Sequence, residues 1–348
     1  MPFWAGFYPE TEKIGALSLF EYYKWRLISE MKKAPERLIP SVPKKNAFLL
    51  DIQRHWRVYL MGAPGIILLF TFSYVPLIGL VMAFQDLDLS KGVFTSPWYG
   101  LNNFKFLFST SDAWIITRNT ICYNAVFIVL GLVLSVGLAL LINELTSKLL
   151  AKILQTIYIM PYFLSMVVVA MIVFSFLNFE NGYVNAIIKE DGGKAVYWYN
   201  RTDVWVWLLV IIHVWKSVGF NSVLYTAVIS GISPEYYEAA ALDGASRWQQ
   251  IRYITLPQLR GIMAINLIRS CGNIFRGDFG LFYTVPNNEG ALYPVTNVLD
   301  TFIYNSLMNT PIVGMSTAAG FYQSIVGLIL VLTVNKIGKH LDADSAMF

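Results

Sequence analysis

The sequence predicts an all-α integral membrane protein with six transmembrane helices and one polar insert that faces the cytoplasm. Of its 348 residues, 56% are hydrophobic and only 14% are charged, whereas about 25% of the residues of a soluble protein are charged. Apolar segments long enough to cross a bilayer recur along the chain, and Lys and Arg concentrate in alternate connecting segments. These three observations exclude a soluble protein.

The first 57 residues are polar and aromatic, and precede the first apolar segment. Residues 16–33 place Phe20, Tyr23 and Leu27 near one face of a helix, a pattern typical of a helix that lies in the plane of the membrane surface. A helix packed on the transmembrane bundle has the same pattern, and both interpretations stay open. Three prolines between residues 35 and 43, followed by Lys44 and Lys45, predict an extended linker. Residues 1–57 are therefore expected to form a cytoplasmic helix and linker.

A membrane-crossing helix needs about 20 mostly apolar residues. Five segments meet this requirement: residues 58–84, 119–142, 153–177, 205–230 and 316–337. A sixth segment, near residues 258–283, has the length but is interrupted by charged residues. Together these segments predict a transmembrane domain of residues 58–337, followed by a cytoplasmic tail of residues 338–348.

The distribution of positive charge orients the spans. With the N-terminus in the cytoplasm, 17 of the 26 Lys and Arg residues lie on the cytoplasmic side, six lie on the opposite side and three lie within spans. This bias follows the positive-inside rule. It requires an even number of crossings, so the charge-interrupted span is needed and both termini are cytoplasmic. The net charge of +4 reflects this asymmetry, and indicates no nucleic-acid partner.

The segment between the fourth and fifth spans has the pattern of a docking surface. Ser233 and Pro234 are a helix-start signal, and the alanines of residues 239–241 allow another protein to approach the helix closely. Asp243 and Gly244 predict a break. A second helical piece is expected to follow and to end at Leu256 and Pro257.

This segment carries a family motif, E-A-A-x-x-x-G followed by nine residues and I-x-L-P. Its residues are Glu238, Ala239, Ala240, Gly244, Ile254, Leu256 and Pro257. The chain resembles the permease subunit of binding-protein-dependent ABC importers, with many positions at fixed spacing. Stretches near residues 96, 158, 215 and 320 resemble the oligosaccharide-importing branch. The resemblance covers roughly residues 56–340.

The resemblance implies a type I ABC importer permease fold in a bacterial inner or plasma membrane. It implies four kinds of partner: a second permease subunit, two nucleotide-binding ATPase subunits that hold ATP and Mg, an external solute-binding protein, and an oligosaccharide. The coupling segment, residues 233–257, would sit in a groove of an ATPase subunit. Glu238, Ala239, Ala240, Asp243 and Gly244 would make the contact, and Arg247 and Arg252 would find acidic partners there.

The charge-interrupted span has a polar stripe. Asn266, Arg269, Asn273 and Arg276 follow one another at i, i+3, i+7 and i+10. An ionised residue at the bilayer centre costs roughly 2.5–3.5 kcal/mol, so this stripe needs a watery cavity or a bonded partner. It either lines a substrate path and binds saccharide hydroxyl or carboxylate groups, or pairs Arg276 with Asp278, or pairs both arginines with carboxylates of a neighbouring subunit.

The fourth span contains Lys216 near its middle, with His213 one turn before it and Asn221 beyond it. These polar residues predict either a second surface along the substrate path or a packing and gating role.

The sequence predicts no catalytic residues, metal site or cofactor in this chain. It has no G-x-x-x-x-G-K-[ST] motif to hold ATP phosphates, and its three histidines are too scattered for a metal site. ATP would therefore be hydrolysed on another chain. The alternative function is an ATP-independent secondary transporter or channel for a polar or anionic solute, which would not need the coupling segment.

Overall fold

The computed structural model describes residues 44–88, 90–105, 109–308 and 313–341. These residues form helices and connecting segments without a strand, and one isolated antiparallel bridge joins Gln85 to Trp98. The α-helices, numbered in chain order, are α1 Lys44–Leu69, α2 Ser111–Asn143, α3 Lys148–Ile159, α4 Met166–Leu177, α5 Tyr183–Glu190, α6 Thr202–Ser230, α7 Pro234–Leu242, α8 Arg247–Gln250, α9 Leu256–Gly272, α10 Tyr293–Thr296, α11 Leu299–Met308 and α12 Val313–Leu341. The helix predicted within residues 16–33 lies outside the described residues, as do residues 342–348 of the predicted tail.

Four helical segments of the described chain are long and apolar enough to cross a membrane: Leu50–Phe84, Asp112–Asn143, Thr202–Ser230 and Val313–Lys336. They coincide with four of the predicted spans, and they expose many large apolar side chains of the kind that lipid covers. Helix α1, which contains the first part of the first span, begins at Lys44. Lys44 and Lys45 are therefore helical and do not belong to a linker. Pro43 restricts only the residue before it, which leaves the helix free to start directly after it.

The first span changes helix type around Pro76. After α1, residues Phe70–Tyr74 form a π-helix and residues Val75–Phe84 form a 3-10 helix. Proline lacks the N–H that an α-helix needs and its ring clashes with the carbonyl one turn earlier. The altered hydrogen-bond pattern is the expected consequence.

The third predicted span is bent rather than straight. Its two halves, Lys148–Phe163 and Met166–Leu177, meet at an angle of 93°. Met160–Phe163 form a 3-10 turn at the break. Ser165 then caps α4, since its hydroxyl accepts a hydrogen bond from the N–H of Val168 over 3.3 Å. Pro161 at the break has no N–H to continue the helix.

The span predicted for residues 258–283 is not one helix. Helix α9 has 17 residues and ends at Gly272, with Asn273 as its C-cap. A turn follows, and Gly280–Thr284 form a short π-helix. Gly272, Asn273 and Gly277 favour this break because glycine and asparagine are poor helix formers. By length and composition, the described residues therefore contain four spans, or five if the bent pair α3–α4 counts as one.

Two apolar clusters join α2 to α6 at different levels. One contains Phe127 of α2 and Trp205 and Leu209 of α6, packed against Phe282. The other contains Val136 of α2 and further residues of α6 and α9. Trp205 fits a membrane-interface anchor by its sequence position, but it is fully buried in the first cluster. Helix α2 therefore forms a wall against which α6 and α9 pack.

Candidate functional site

A cavity of about 710 Å³ lies between α2, α6 and α9. This volume is typical of a binding site for a small organic molecule. Its wall is mixed, with amide, hydroxyl and guanidinium groups among aromatic and aliphatic side chains. The polar lining residues are Asn124, His213, Ser217, Asn221, Tyr225, Asn266, Arg269, Ser270, Asn273 and Arg276.

The four residues of the predicted stripe all line this cavity, but not as one helical face. Asn266 and Arg269 lie on α9, Asn273 caps its C-terminus, and Arg276 lies in the turn beyond it. The prediction that one continuous helix carries all four residues is therefore wrong. Arg276 reaches the same cavity from the turn after α9 and not from the helix itself.

Neither cavity arginine forms a salt bridge with a carboxylate of the described residues. Arg269 and Arg276 are both exposed, as is Asn273. The amide of Asn266 donates to the Tyr225 hydroxyl over 3.3 Å, and the amide of Asn273 donates to the carbonyl of Arg269 over 3.0 Å. The N–H groups of both guanidinium groups are thus available to bind a ligand. Their planar arrangement suits two parallel hydrogen bonds to a carboxylate.

Asn221 of α6 also lines the cavity, whereas Lys216 and Asp278 do not. The Lys216 ammonium donates to the carbonyls of Pro161, Tyr162 and Leu164, at the break between α3 and α4. Asp278 accepts a hydrogen bond from the N–H of Leu281. Within the described part of the chain, it forms no ion pair with Arg276.

Sequence reasoning missed part of the α2 wall. Asn124 and Phe127 line the cavity, and the Phe127 ring stacks on His213 with their centroids 3.7 Å apart. Asn124 was detectable, since an amide within the otherwise apolar segment 119–142 requires polar partners. Phe127 was not, because a phenylalanine in an apolar helix has the same signature whether it faces lipid, core or ligand.

The coupling segment folds as two short helices around a glycine turn. Helix α7 begins at Pro234, and Gly244 follows it with φ = +79°, a conformation that glycine adopts without strain. Ser246 starts α8 through a capping box with Gln249. The predicted helix start at Ser233 and Pro234 is confirmed, although the Ser233 side chain makes no capping hydrogen bond. The predicted end at Pro257 is wrong, because Pro257 lies in the first turn of α9.

Pro257 is tolerated because the hydrogen-bond register changes before it. Ile251–Thr255 form a π-helix that leads directly into α9, with Pro257 in its first turn. The Tyr237 hydroxyl lies 2.9 Å from the Thr255 hydroxyl and ties α7 to this turn. Leu256 packs against the apolar cluster around Val136. The end of the motif therefore anchors the segment to the bundle.

The predicted contact residues of the coupling segment are accessible. Glu238, Gly244 and Arg247 border a groove of about 610 Å³. Ala239 and Asp243 are exposed, and Ala240 is half-buried. The segment also exposes four large apolar or aromatic side chains that the sequence analysis did not single out: Leu242, which is 90% exposed, and Tyr236, Trp248 and Tyr253. Such a concentration beside a polar surface is typical of a protein–protein interface.

The comparisons with known proteins agree with this architecture. Residues 128–342 match the family described as binding-protein-dependent transport system inner membrane component. The polygalacturonan/rhamnogalacturonan transport system permease protein YteP of Bacillus subtilis (strain 168) is 31% identical over 311 residues, covering 89% of this chain and 96% of YteP. Protein LplB of the same organism is 29% identical over 298 residues, covering 86% and 93%.

Two solved structures share the fold. A chain of a bacterial ABC transporter involved in the import of the acidic polysaccharide alginate is 33% identical, with a TM-score of 0.76 over 85% of this chain and 99% of that chain. A chain of the bacterial alginate ABC transporter in complex with an alginate pentasaccharide-bound periplasmic protein is also 33% identical, with a TM-score of 0.74 over 84% and 96%. The resemblance stated from the coupling motif is thereby confirmed. The chain belongs to the family of inner membrane components of binding-protein-dependent transport systems.

Proposed function

We propose that this chain is the permease subunit of an ATP-driven importer that carries an acidic oligosaccharide through the cavity between α2, α6 and α9. The observation that carries the proposal is the pair of guanidinium groups, Arg269 and Arg276, on the wall of a 710 Å³ cavity. Two arginines that form no salt bridge within the described chain are suited to uronate carboxylates. Amide and hydroxyl groups around them are suited to sugar hydroxyls.

The relatives support this class of substrate. YteP is named for transport of polygalacturonan and rhamnogalacturonan, and the solved transporter imports an acidic polysaccharide. The structural relative is seen with a periplasmic protein that holds the saccharide. We therefore expect an external solute-binding protein to deliver the substrate to this chain, which pairs with a second permease subunit.

The energy would come from two ATPase subunits that bind ATP and Mg. The coupling segment, residues 233–257, offers them a groove beside Glu238 and an exposed apolar surface around Leu242. Closure of the ATPase dimer would move this segment, and the bundle would alternate between outward and inward access. This arrangement requires both termini and the coupling segment to be cytoplasmic, as the distribution of Lys and Arg predicts.

The test is ATP hydrolysis by the reconstituted complex, with its binding protein, over a panel of neutral and acidic oligosaccharides. Acidic members should stimulate hydrolysis and be taken up. Arg269→Ala and Arg276→Ala should each weaken both responses about tenfold or more, since hydrogen bonds to charged groups contribute about 1.5–3 kcal/mol. Unchanged uptake and unchanged stimulated hydrolysis in both variants would refute the cavity as the path. Stimulation by neutral members alone would refute the acidic class.

A further inference from the structure

The turn that carries Arg276 is held by side chains from three other helices. From α2, the Asn124 amide donates to the carbonyls of Ile274 and Arg276, each over 3.0 Å. From α12, the Gln323 amide donates to the carbonyl of Phe275 over 2.7 Å. Three consecutive backbone carbonyls of the turn after α9 are therefore satisfied by side chains from outside the turn.

The fourth contact comes from α11. The Asp300 carboxylate accepts a hydrogen bond from the N–H of Gly277, directly after Arg276, and a second one from the Gln323 amide over 3.1 Å. A side chain at position 277 would not fit, because its Cβ would lie 2.7 Å from Cγ2 of Val298 and 3.0 Å from Oδ2 of Asp300. Gly277 thus permits the close approach of Asp300 to the backbone.

Asp300 is the one acidic residue among the three side chains described above that hold the turn. It lies on α11, which starts at Leu299. The apolar cluster of Ile116, Phe275 and Leu299 packs against the middle of α12. Burial raises the pKa of its carboxyl, so the two hydrogen bonds compensate for the loss of water. Asp300 does not line the cavity. It can influence the site through the backbone N–H of Gly277, to which it is hydrogen-bonded, and through electrostatic attraction to the Arg276 guanidinium.

We infer that Asp300 is a positioning residue, which fixes the turn Asn273–Asp278 so that Arg276 presents its guanidinium to a carboxylate in the cavity. Gln323 assists by joining Asp300 to the carbonyl of Phe275. The inference rests on the proposed function for its ligand class. Asp300 and Gln323 lie outside the cavity, 23 and 48 positions after the backbone groups to which they are hydrogen-bonded. Through these contacts they set the preference of the site for acidic over neutral saccharides.

The first test needs no ligand. Amide hydrogen exchange is measured on the complete complex for wild type, Asp300→Ala, Asp300→Asn and Asn305→Ala. Removal of the Asp300 acceptor should accelerate exchange across residues 273–278 about tenfold or more, equivalent to about 1.4 kcal/mol of local opening. Asp300→Asn retains an acceptor for the N–H of Gly277, so most of the protection against exchange should remain. Asn305→Ala, on the same helix, loses its hydrogen bonds to Asn288 and should leave the turn unchanged.

The second test measures whether the contacts of Asp300 with the turn change the preference of the complex for an acidic saccharide. The probes are tetragalacturonate and its methyl ester, which differ in charge but share a backbone. The binding protein is the same throughout, so a change in the ratio of ATP hydrolysis stimulated by the two probes reports on the permease. Asp300→Ala should reduce the preference for the acid about as much as Arg276→Ala, and the double variant should lose no more than Arg276→Ala alone.

These outcomes separate the two proposals. If neither probe stimulates the wild-type complex, tetragalacturonate is not its substrate, and the exchange experiment still decides the role of Asp300. If exchange in residues 273–278 is the same in Asp300→Ala and wild type, the positioning role is overturned. Additive losses in the double variant would also overturn it, because they would show that Asp300 acts on the ligand independently of Arg276.

Discussion

The ammonium of Lys216, in the middle of α6, donates a hydrogen bond of 2.8 Å to the carbonyl of Tyr162, at the break between α3 and α4. It also donates to the carbonyls of Pro161 and Leu164, and lies 5.8 Å from the centroid of the Tyr162 ring. The bend frees carbonyls that a straight helix would use, and no water is present in the bilayer core to satisfy them. These contacts favour the packing and gating role of Lys216 over a place along the substrate path, and we expect Lys216 to stabilise the broken helix.

Lys216→Met should destabilise the protein. The thioether side chain has similar length but no donor, and each carbonyl left without a partner costs about 1–3 kcal/mol. We expect a lower midpoint of thermal unfolding for the solubilised complex. Lys189→Met is the matched control, because the Lys189 ammonium makes a single hydrogen bond, at the surface, to the carbonyl of Glu180. Equal midpoints for the two variants would show that the bend does not depend on Lys216.

Gly219→Ala should disturb the same junction. A Cβ at position 219 would overlap the backbone carbonyl of Tyr158, and a backbone atom cannot move away by changing rotamer. We expect loss of assembled complex from the membrane, measured by co-purification. Gly137→Ala, in α2 where a Cβ meets nothing within 4 Å, should be tolerated, since alanine favours a helix by up to about 1 kcal/mol over glycine. Normal assembly of the Gly219 variant would contradict the close approach of α6 to this turn.

Gly244→Asp should uncouple ATP hydrolysis from transport. The residue has φ = +79° and borders the groove of the coupling segment, so a side chain both strains the turn and obstructs the surface. Gly192→Asp is the matched control, with the same φ of +79° and open space around it in another loop. We expect uptake to be lost only in the Gly244 variant, with both proteins inserted in the membrane. Equal uptake by the two variants would remove the coupling role.

Leu242→Ser should weaken binding of the ATPase subunits without changing the stability of the chain. The side chain is 90% exposed, so it contributes little to folding but much apolar area to a partner. Leu101→Ser, at a loop residue that is 69% exposed, serves as the control. Co-purified ATPase per permease is the measurement. If both variants retain the same amount, the exposed apolar surface around α7 and α8 has another purpose.

Features set by local sequence were predictable from the chain. The coupling segment turns at Gly244 because few other residues adopt its backbone conformation, and four spans follow directly from apolar length. The four stripe residues line one cavity, as expected of a group whose arginines cannot face lipid. Their role in a substrate path stays a prediction.

Features set by distant contacts were not predictable. Lys216 donates to carbonyls at the break in the third span from more than fifty residues later, and Asn124, Gln323 and Asp300 hold the turn after α9. Periodicity shows which residues are polar, but not which backbone carbonyl they will reach. The helical projection therefore placed Arg276 on a helix, whereas long-range hydrogen bonds hold it in a turn.

The most direct test of the proposed path is protection of a thiol introduced by Asn221→Cys, in a background with Cys122→Ser and Cys271→Ser. Position 221 lies on α6 and lines the same cavity as Arg269 of α9 and Arg276 of the turn after α9. In the complete complex, an acidic oligosaccharide that stimulates ATP hydrolysis should slow labelling of this thiol. Labelling of a thiol introduced by Met308→Cys, at an exposed site on α11, should not change. Equal labelling at position 221 with and without the transported saccharide would contradict passage through this cavity.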